Sequence, residues 1–376
     1  MRIYTYIILM TASALSGGCW RQTPSINFER SELSAGELPT FVLIADLNND
    51  DYPDLAVANS RSDDVSIILN RGDGTFAEPV NYQAGDSPMG LAVGDLDGDG
   101  DPDLAVANSG LFETEGNVAI LPNHGDGTFA EAETYDTESA PYSVAIGDLD
   151  EDKDLDLAVA TLYGLGVSIL LNKGDGTFEE DVVYEVDGLA PRSVVAADMD
   201  ADGDLDLAVV TDGRMQVEGR VSILLNTGDG AFLDGESYAQ VGGPMSVAVG
   251  DVNGDNHQDL AVVGIFSNGV YVLFGHGDGT FADPEPFLVG DSPVHVAMGD
   301  LDGDGHLDLA VANQLDDQVS VLLNNGDGTF ARYAAYDAGP GPTFVVIADL
   351  DRDGDLDLAV SNQDGDAVSI LLNQDR

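Results

Sequence analysis

Cysteine, lysine and long apolar runs are all scarce in this chain, and each scarcity removes a class of protein. There is one cysteine, Cys19, in 376 residues, so no disulfide framework holds the fold. Basic residues number 13 against 69 acidic ones, for a formal charge of -56. Such a field repels phosphate and excludes nucleic-acid binding by bulk electrostatics. Lysine occurs only at Lys153 and Lys173. The acidity fits either a solvated surface that keeps the protein soluble or adaptation to high salt. The five histidines form no His-x-x-x-His or His-Glu pair, and no Gly-x-Ser-x-Gly, Walker or Rossmann pattern is present. A protein without catalytic activity is therefore expected. No membrane-spanning run exists beyond the N-terminus, where Ile3–Leu15 is mostly apolar but too short to cross a bilayer as a stable helix.

That N-terminal stretch reads as an export signal. Arg2 supplies a minimal positive start, and Ser16-Gly17-Gly18 precede Cys19. Small residues before a lone cysteine resemble the bacterial lipobox, with Leu15 four residues before the cysteine rather than three. The resemblance implies residues 1–18 as signal peptide, lipidation of Cys19, and residues 19–26 as a short tether. The protein is expected to be lipid-anchored to a bacterial membrane, at the outer membrane or cell surface, or else secreted.

What the chain has in abundance is one repeated stretch. DLDGDGDPDLAV at Asp95–Val106 has six relatives, starting at Asp46, Asp148, Asp198, Asp251, Asp300 and Asp349. Oxygen side chains stand at positions 1, 3, 5 and 9 of each, and Gly at position 6 in four. All-oxygen loops of this kind suit a hard cation, Ca²⁺ being the usual one. A period near 50 residues with several short apolar segments per unit points to propeller blades.

Each unit offers four strands. The first is apolar and ends at the first loop Asp, after a small residue (Ala45, Gly94, Gly147, Ala197, Gly250, Gly299, Ala348). Crowding near an axis is the proposed reason. The second is the Leu-Ala-Val run, unbroken enough to be buried on both faces. The third is typified by Val65–Leu69. A GDGTF turn, as at Gly72–Phe76, then leads into a fourth strand read as starting at the Phe and running to Tyr82. The loops and GDGTF turns share one rim, and the remaining connections share the other. The seventh unit stops after its third strand, while Asn27–Gly36 looks like a fourth strand lacking its unit. Pairing of that segment with Val368–Leu372 would close a ring and remove the exposed edges.

The loops followed by Leu-Ala-Val, with the Gly-rich turns, resemble the FG-GAP/VCBS repeat family of integrin α-subunit propellers and many exported bacterial proteins. The resemblance covers residues 27–376. It implies an all-β fold: a seven-bladed β-propeller of four-stranded antiparallel blades, closed by an N-terminal strand that completes the last blade.

It also implies about seven Ca²⁺ sites. Carried over, the first uses Asp46, Asn48, Asp50, Asp54 and the Tyr52 carbonyl. The second uses Asp95, Asp97, Asp99, Asp103 and Asp101. The third uses Asp148, Asp150, Asp152, Asp156 and Asp154. The fourth uses Asp198, Asp200, Asp202, Asp206 and Asp204. The fifth uses Asp251, Asn253, Asp255, Asp259 and His257. The sixth uses Asp300, Asp302, Asp304, Asp308 and His306. The seventh uses Asp349, Asp351, Asp353, Asp357 and Asp355. Sites one and five carry three carboxylates instead of four and are expected to be weakest.

Binding is placed on the rim opposite the metal loops, where the units differ. Phe112, Tyr163, Arg192, Arg214, Met215, Arg220 and Phe266 stand out there, since aromatic and Arg residues anchor interfaces. His295, following Pro293, is placed facing the central channel. The leading expectation is a monomeric, calcium-binding, non-enzymatic propeller that binds a protein or glycan. A polysaccharide lyase or hydrolase on the same scaffold, and a purely structural surface repeat, stand as the other readings.

Overall fold

A computed structural model describes residues 26–110, 116–213, 219–239 and 241–374. They form 28 strands in seven four-stranded antiparallel sheets and, among the described residues, no helix. Six sheets are built from consecutive strands. The seventh takes Phe28–Ser34 from the N-terminal end and pairs it with Ala367–Asn373, in register from Phe28 opposite Asn373 to Ser34 opposite Ala367. The expected closure is therefore present. It is reinforced where the Tyr336 hydroxyl donates to the Ile26 carbonyl at 2.7 Å and Arg30 reaches Asp337 at 2.8 Å.

Burial follows the radial position of each strand. All six residues of every second strand, such as Asp103–Asn108, are buried. Neighbouring sheets cover both faces of these strands, which is why the sequence shows no alternation there. Outer strands such as Val80–Gln83 are mostly exposed. The small residue before each loop answers the crowding expected of it. A Cβ added at Gly94 would lie 2.6 Å from Leu155 Cδ1 of the next blade.

The fourth strands differ from expectation. Only the fourth blade has a regular strand starting at the turn's Phe, Phe232–Tyr238. Elsewhere the Phe makes an isolated bridge, as between Asn70 and Phe76, and the regular strand begins later. In the second to sixth blades the Phe ring turns inward and packs edge-on against an aromatic ring of the preceding blade. Tyr82 meets Phe129 at 5.4 Å and Tyr135 meets Phe178 at 5.1 Å. Each such pair adds roughly 0.5–1.5 kcal/mol beyond area burial, so the turn serves blade-to-blade packing as well as chain reversal.

An asparagine before each turn adds a second clasp. Asn172 Nδ2 donates to Leu96 O of the previous blade at 2.8 Å and to Leu155 O at 3.0 Å. Asn70, Asn123, Asn226, Asn324 and Asn373 repeat the inter-blade bond. The fifth blade has Gly275 at this place, and there the Gly279 N–H bonds Met199 O instead.

Candidate metal loops and an axial funnel

Each metal loop starts where an inner strand ends and is wrapped by its own carboxylates. In the second blade, Gly98 and Gly100 donate backbone N–H groups to the two oxygens of Asp95 at 2.8 and 3.1 Å, and Asp101 N–H donates to Asp99 Oδ1 at 2.9 Å. The tight path needs left-handed backbone at position 6, as read from glycine there, and Asp51, Lys153 and Asn256 adopt it without glycine. It also needs it at position 4. Glu151, Ala201 and Arg352 hold φ of 61 to 65° there, a conformation that residue type did not announce.

The Asp at position 9 is the keystone. It is at most 1% exposed in all seven blades. One oxygen accepts the N–H of loop position 2 at 2.7 to 3.0 Å. The other accepts the N–H that opens the third-to-fourth-strand turn at 2.7 to 2.8 Å. Burial pushes its carboxyl up, to about 6 in Asp54, Asp103, Asp156, Asp206 and Asp259 and about 7 in Asp308 and Asp357. The two backbone donors oppose that rise, and the other loop carboxylates add to it.

The donor set fits a hard cation in five loops. Three carboxylate oxygens lie within 4.8 Å of one another in the second (Asp95, Asp97, Asp99), third (Asp148, Asp150, Asp156), fourth (Asp198, Asp200, Asp206), sixth (Asp300, Asp302, Asp304) and seventh (Asp349, Asp351, Asp353). Position 9 joins the cluster only in the third and fourth. Asp148 Oδ1, Asp198 Oδ1 and Asp349 Oδ1 are shielded from solvent with no hydrogen-bond donor, as oxygens meant for a cation would be. In the first and fifth loops an amide does part of that work. Asn48 donates to Asp50 and Asn253 to Asp255, each at 3.0 Å. Position 7 side chains pack over the glycine-rich turns: His257 lies beside Gly277 and His306 beside Gly326, and Tyr52 lies under Arg352 at 4.3 Å.

The opposite rim opens into a funnel on the ring axis, with a cavity of about 160 Å³. All seven inner strands start at a proline and carry a β-bulge at the next residue, for example between Pro191 and Ser193. A bulge re-aims side chains that strict alternation would send to opposite faces. Thus Arg192 and Ser193, Met245 and Ser246, and Thr343 and Phe344 line the funnel as neighbours. Rings of the sixth, seventh and first blades form one continuous wall. His295 stacks on Phe344 at 3.4 Å between centroids, and Phe344 lies 3.7 Å from Phe41. His295 Nδ1 accepts the Val345 N–H at 3.3 Å, and burial depresses its pKa to about 3, so the ring is neutral.

Across the axis, Arg192 donates through Nε and Nη2 to Asp212 Oδ2 at 3.0 and 2.8 Å and lies over the Tyr142 ring at 4.8 Å. Burial opposes its charge, but Tyr142 and Asp212 outweigh burial and hold the guanidinium pKa above its ordinary value. Of the residues singled out for binding, the structure brings Arg192 to the axis, and His295 faces the channel as expected. Tyr163 and Phe266 stand on the rim, 59% and 82% exposed. Arg220 is half-buried at a strand start. Phe112, Arg214 and Met215, like the expected signal peptide (residues 1–18) and Cys19, lie outside the described residues. The funnel pairs were missed in sequence. Their one local mark is that the two residues after each proline range over charged, polar and aromatic types, while the rest of the strand stays apolar or small.

No curated protein matches the chain. Among solved structures, the Pseudomonas aeruginosa periplasmic gluconolactonase is 17% identical, with 86% of this chain and 88% of that one covered and a TM-score of 0.63. Virginiamycin B lyase from Staphylococcus aureus is 13% identical, covering 92% and 99%, with a TM-score of 0.62. An Agrocybe aegerita lectin that recognises non-reducing terminal N-acetylglucosamine is 22% identical, covering 81% and 80%, with a TM-score of 0.55. These likenesses are of fold. They correct the expectation of a non-enzymatic protein, because a lyase and a gluconolactonase are built on the same fold. That expectation rested on missing local motifs, whereas a propeller assembles its axial groups from strands some 50 residues apart. The FG-GAP-like repeat matches residues 46–106, 109–159, 149–209, 209–262, 255–311 and 300–360, most of the propeller, and the chain belongs to that family.

Proposed function

We propose that this protein is an exported, calcium-braced propeller that binds a protein or glycan across the rim opposite its metal loops. The observation that carries the reading is the distribution of exposed apolar side chains. Tyr163, Leu165, Leu189, Phe266 and Leu315 all lie on that rim. The other large exposed apolar residues, Val80, Val182, Leu233 and Leu288, lie on outer strands, and among the described residues none lies on the metal rim. Exposed apolar anchors rimmed by polar residues mark interaction surfaces. The metal loops act as braces: they tie the first two strands of each blade and leave the recognition face free to vary. Lipidation of Cys19 would hold the ring at a membrane through residues 19–26.

A glycan array and a pull-down of surface proteins, run in calcium and in chelator, test the reading. Binding is expected in calcium and is expected to fall when Tyr163 and Phe266 are both changed to Ser. Binding that survives this double change but is lost on altering the exposed turn Asp126 would move the site to the metal rim and sink the proposal. Mass measurement of the mature N-terminus tests the anchor. An unmodified Cys19 in membrane-associated protein would remove it.

A further inference from the structure

The axial funnel differs from the rest of the molecule in charge. The chain has 69 acidic residues, yet none of the residues lining the funnel is Asp or Glu. Its one cation, Arg192, is held by Asp212 from the adjoining turn. With His295 neutral, the funnel carries no net charge. An anion would enter against the field of a -56 protein. A cation would meet the Arg192 guanidinium at short range in a poorly solvated site.

Chemistry is also divided across the axis. One wall is the ring stack of His295, Phe344 and Phe41, on the sixth, seventh and first blades. Arg192, on the fourth blade, stands across the axis, and Ser246 lies between, on the fifth blade beside that of His295. Ser246 is 3% exposed, lines the funnel, and its Oγ has no hydrogen-bond partner. An orphaned buried hydroxyl costs stability unless something else satisfies it. The two lining threonines are already engaged. Thr40 Oγ1 donates to Pro88 O at 3.0 Å and Thr343 Oγ1 to Pro39 O at 3.1 Å, each locking one blade to the next. Size narrows the ligand further. A cavity of about 160 Å³ is close to one of roughly 150 Å³ known to take benzene. It has room for one ring and not for a peptide loop or a run of sugars.

We propose that the funnel is a small-molecule site for an uncharged single-ring compound bearing one hydrogen-bonding group, phenol being the simplest, which packs against Phe344 and His295 and turns its polar group toward Ser246 and Arg192. This site is separate from the rim surface and does not depend on a rim partner. A mostly apolar lining with few placed polar groups is the usual make-up of such sites.

The test is calorimetric titration of the calcium-loaded mature protein with phenol, benzoate, benzylammonium and glucose. Phenol is expected to bind one to one, at least about tenfold more tightly than the other three. Ser246→Ala removes one oxygen and should weaken phenol binding about five- to tenfold, the value of one hydrogen bond. Val294→Trp and Met89→Trp enlarge funnel-lining side chains on different blades, and either should abolish binding while keeping the parent unfolding midpoint. If these bulky variants unfold, the Ser246→Ala result decides. No phenol binding, equal or tighter binding of a charged ring or of glucose, or indifference to Ser246→Ala would each overturn the proposal.

Discussion

Removing calcium should reverse the way stability depends on pH. The position 9 carboxylates have folded pKa values of about 6 or 7, against an ordinary 3.8. A carboxyl whose pKa is raised by folding binds protons more tightly folded than unfolded. Its contribution is fully present below the unfolded value and is lost as pH rises through the folded one. The window is therefore about pH 4 to 7. Between about pH 5 and 8, a group at 6 forfeits roughly 1.4 kcal/mol, and one at 7 nearly twice that. Several loops acting together would remove a large share of the 5–15 kcal/mol typical of a domain.

Calcium acts in the opposite direction, because it needs the ionised form. At about 10 mM and a Kd of roughly 10⁻⁴–10⁻³ M it adds about 1.4–2.7 kcal/mol per occupied site. The assay is urea unfolding by circular dichroism at both pH values, in chelator and in calcium. About 0.5 M NaCl should be present throughout, to screen the surface acids to a few ångströms. In chelator the midpoint should fall from pH 5 to pH 8, and in calcium the fall should vanish or invert. Superimposable chelator curves would refute the burial argument. An unchanged midpoint at pH 8 on adding calcium would refute the metal sites.

Three further outcomes can be checked independently. Asn172→Ala removes the buried inter-blade bond and the part-buried bond to Leu155 O, and orphans the Leu96 carbonyl; urea denaturation should show a loss of about 2–4 kcal/mol. Ala201→Gly relieves a φ of 65° and should raise the midpoint, by up to about 1 kcal/mol, and a loss instead would mean that the loop tolerates the left-handed conformation without strain. Asn253→Asp replaces the amide that satisfies Asp255 with a fourth carboxylate, so calorimetry should show one more tight calcium site than in the parent.

The ring was legible along the chain: blade number, strand order and closing strand. These follow from local and periodic signals, namely an apolar run long enough for one strand, an Asp-rich loop, a Gly turn, and a count that leaves Phe28–Ser34 and Ala367–Asn373 as the two halves of one blade. The absence of a three-carboxylate cluster from loops one and five was also legible, because Asn48 and Asn253 replace carboxylates. Sequence did not reveal that both oxygens of the position 9 Asp are spent on backbone bonds in every blade, nor which carboxylates would cluster. Position 9 looks the same in every loop, yet it joins the carboxylate cluster only in the third and fourth blades.

The funnel exists only once the blades close into a ring. Alternation along a strand would send Arg192 and Ser193 to opposite faces, and the bulge after Pro191 brings both to the axis. Phe41 and Phe344 lie some 300 residues apart in the chain, and they touch because the ring closes between the first and last blades. For the same reason a search for local catalytic motifs was the wrong test of activity. Groups that meet on an axis leave no spacing in sequence, whereas a metal loop, made from twelve successive residues, writes its geometry directly into the chain.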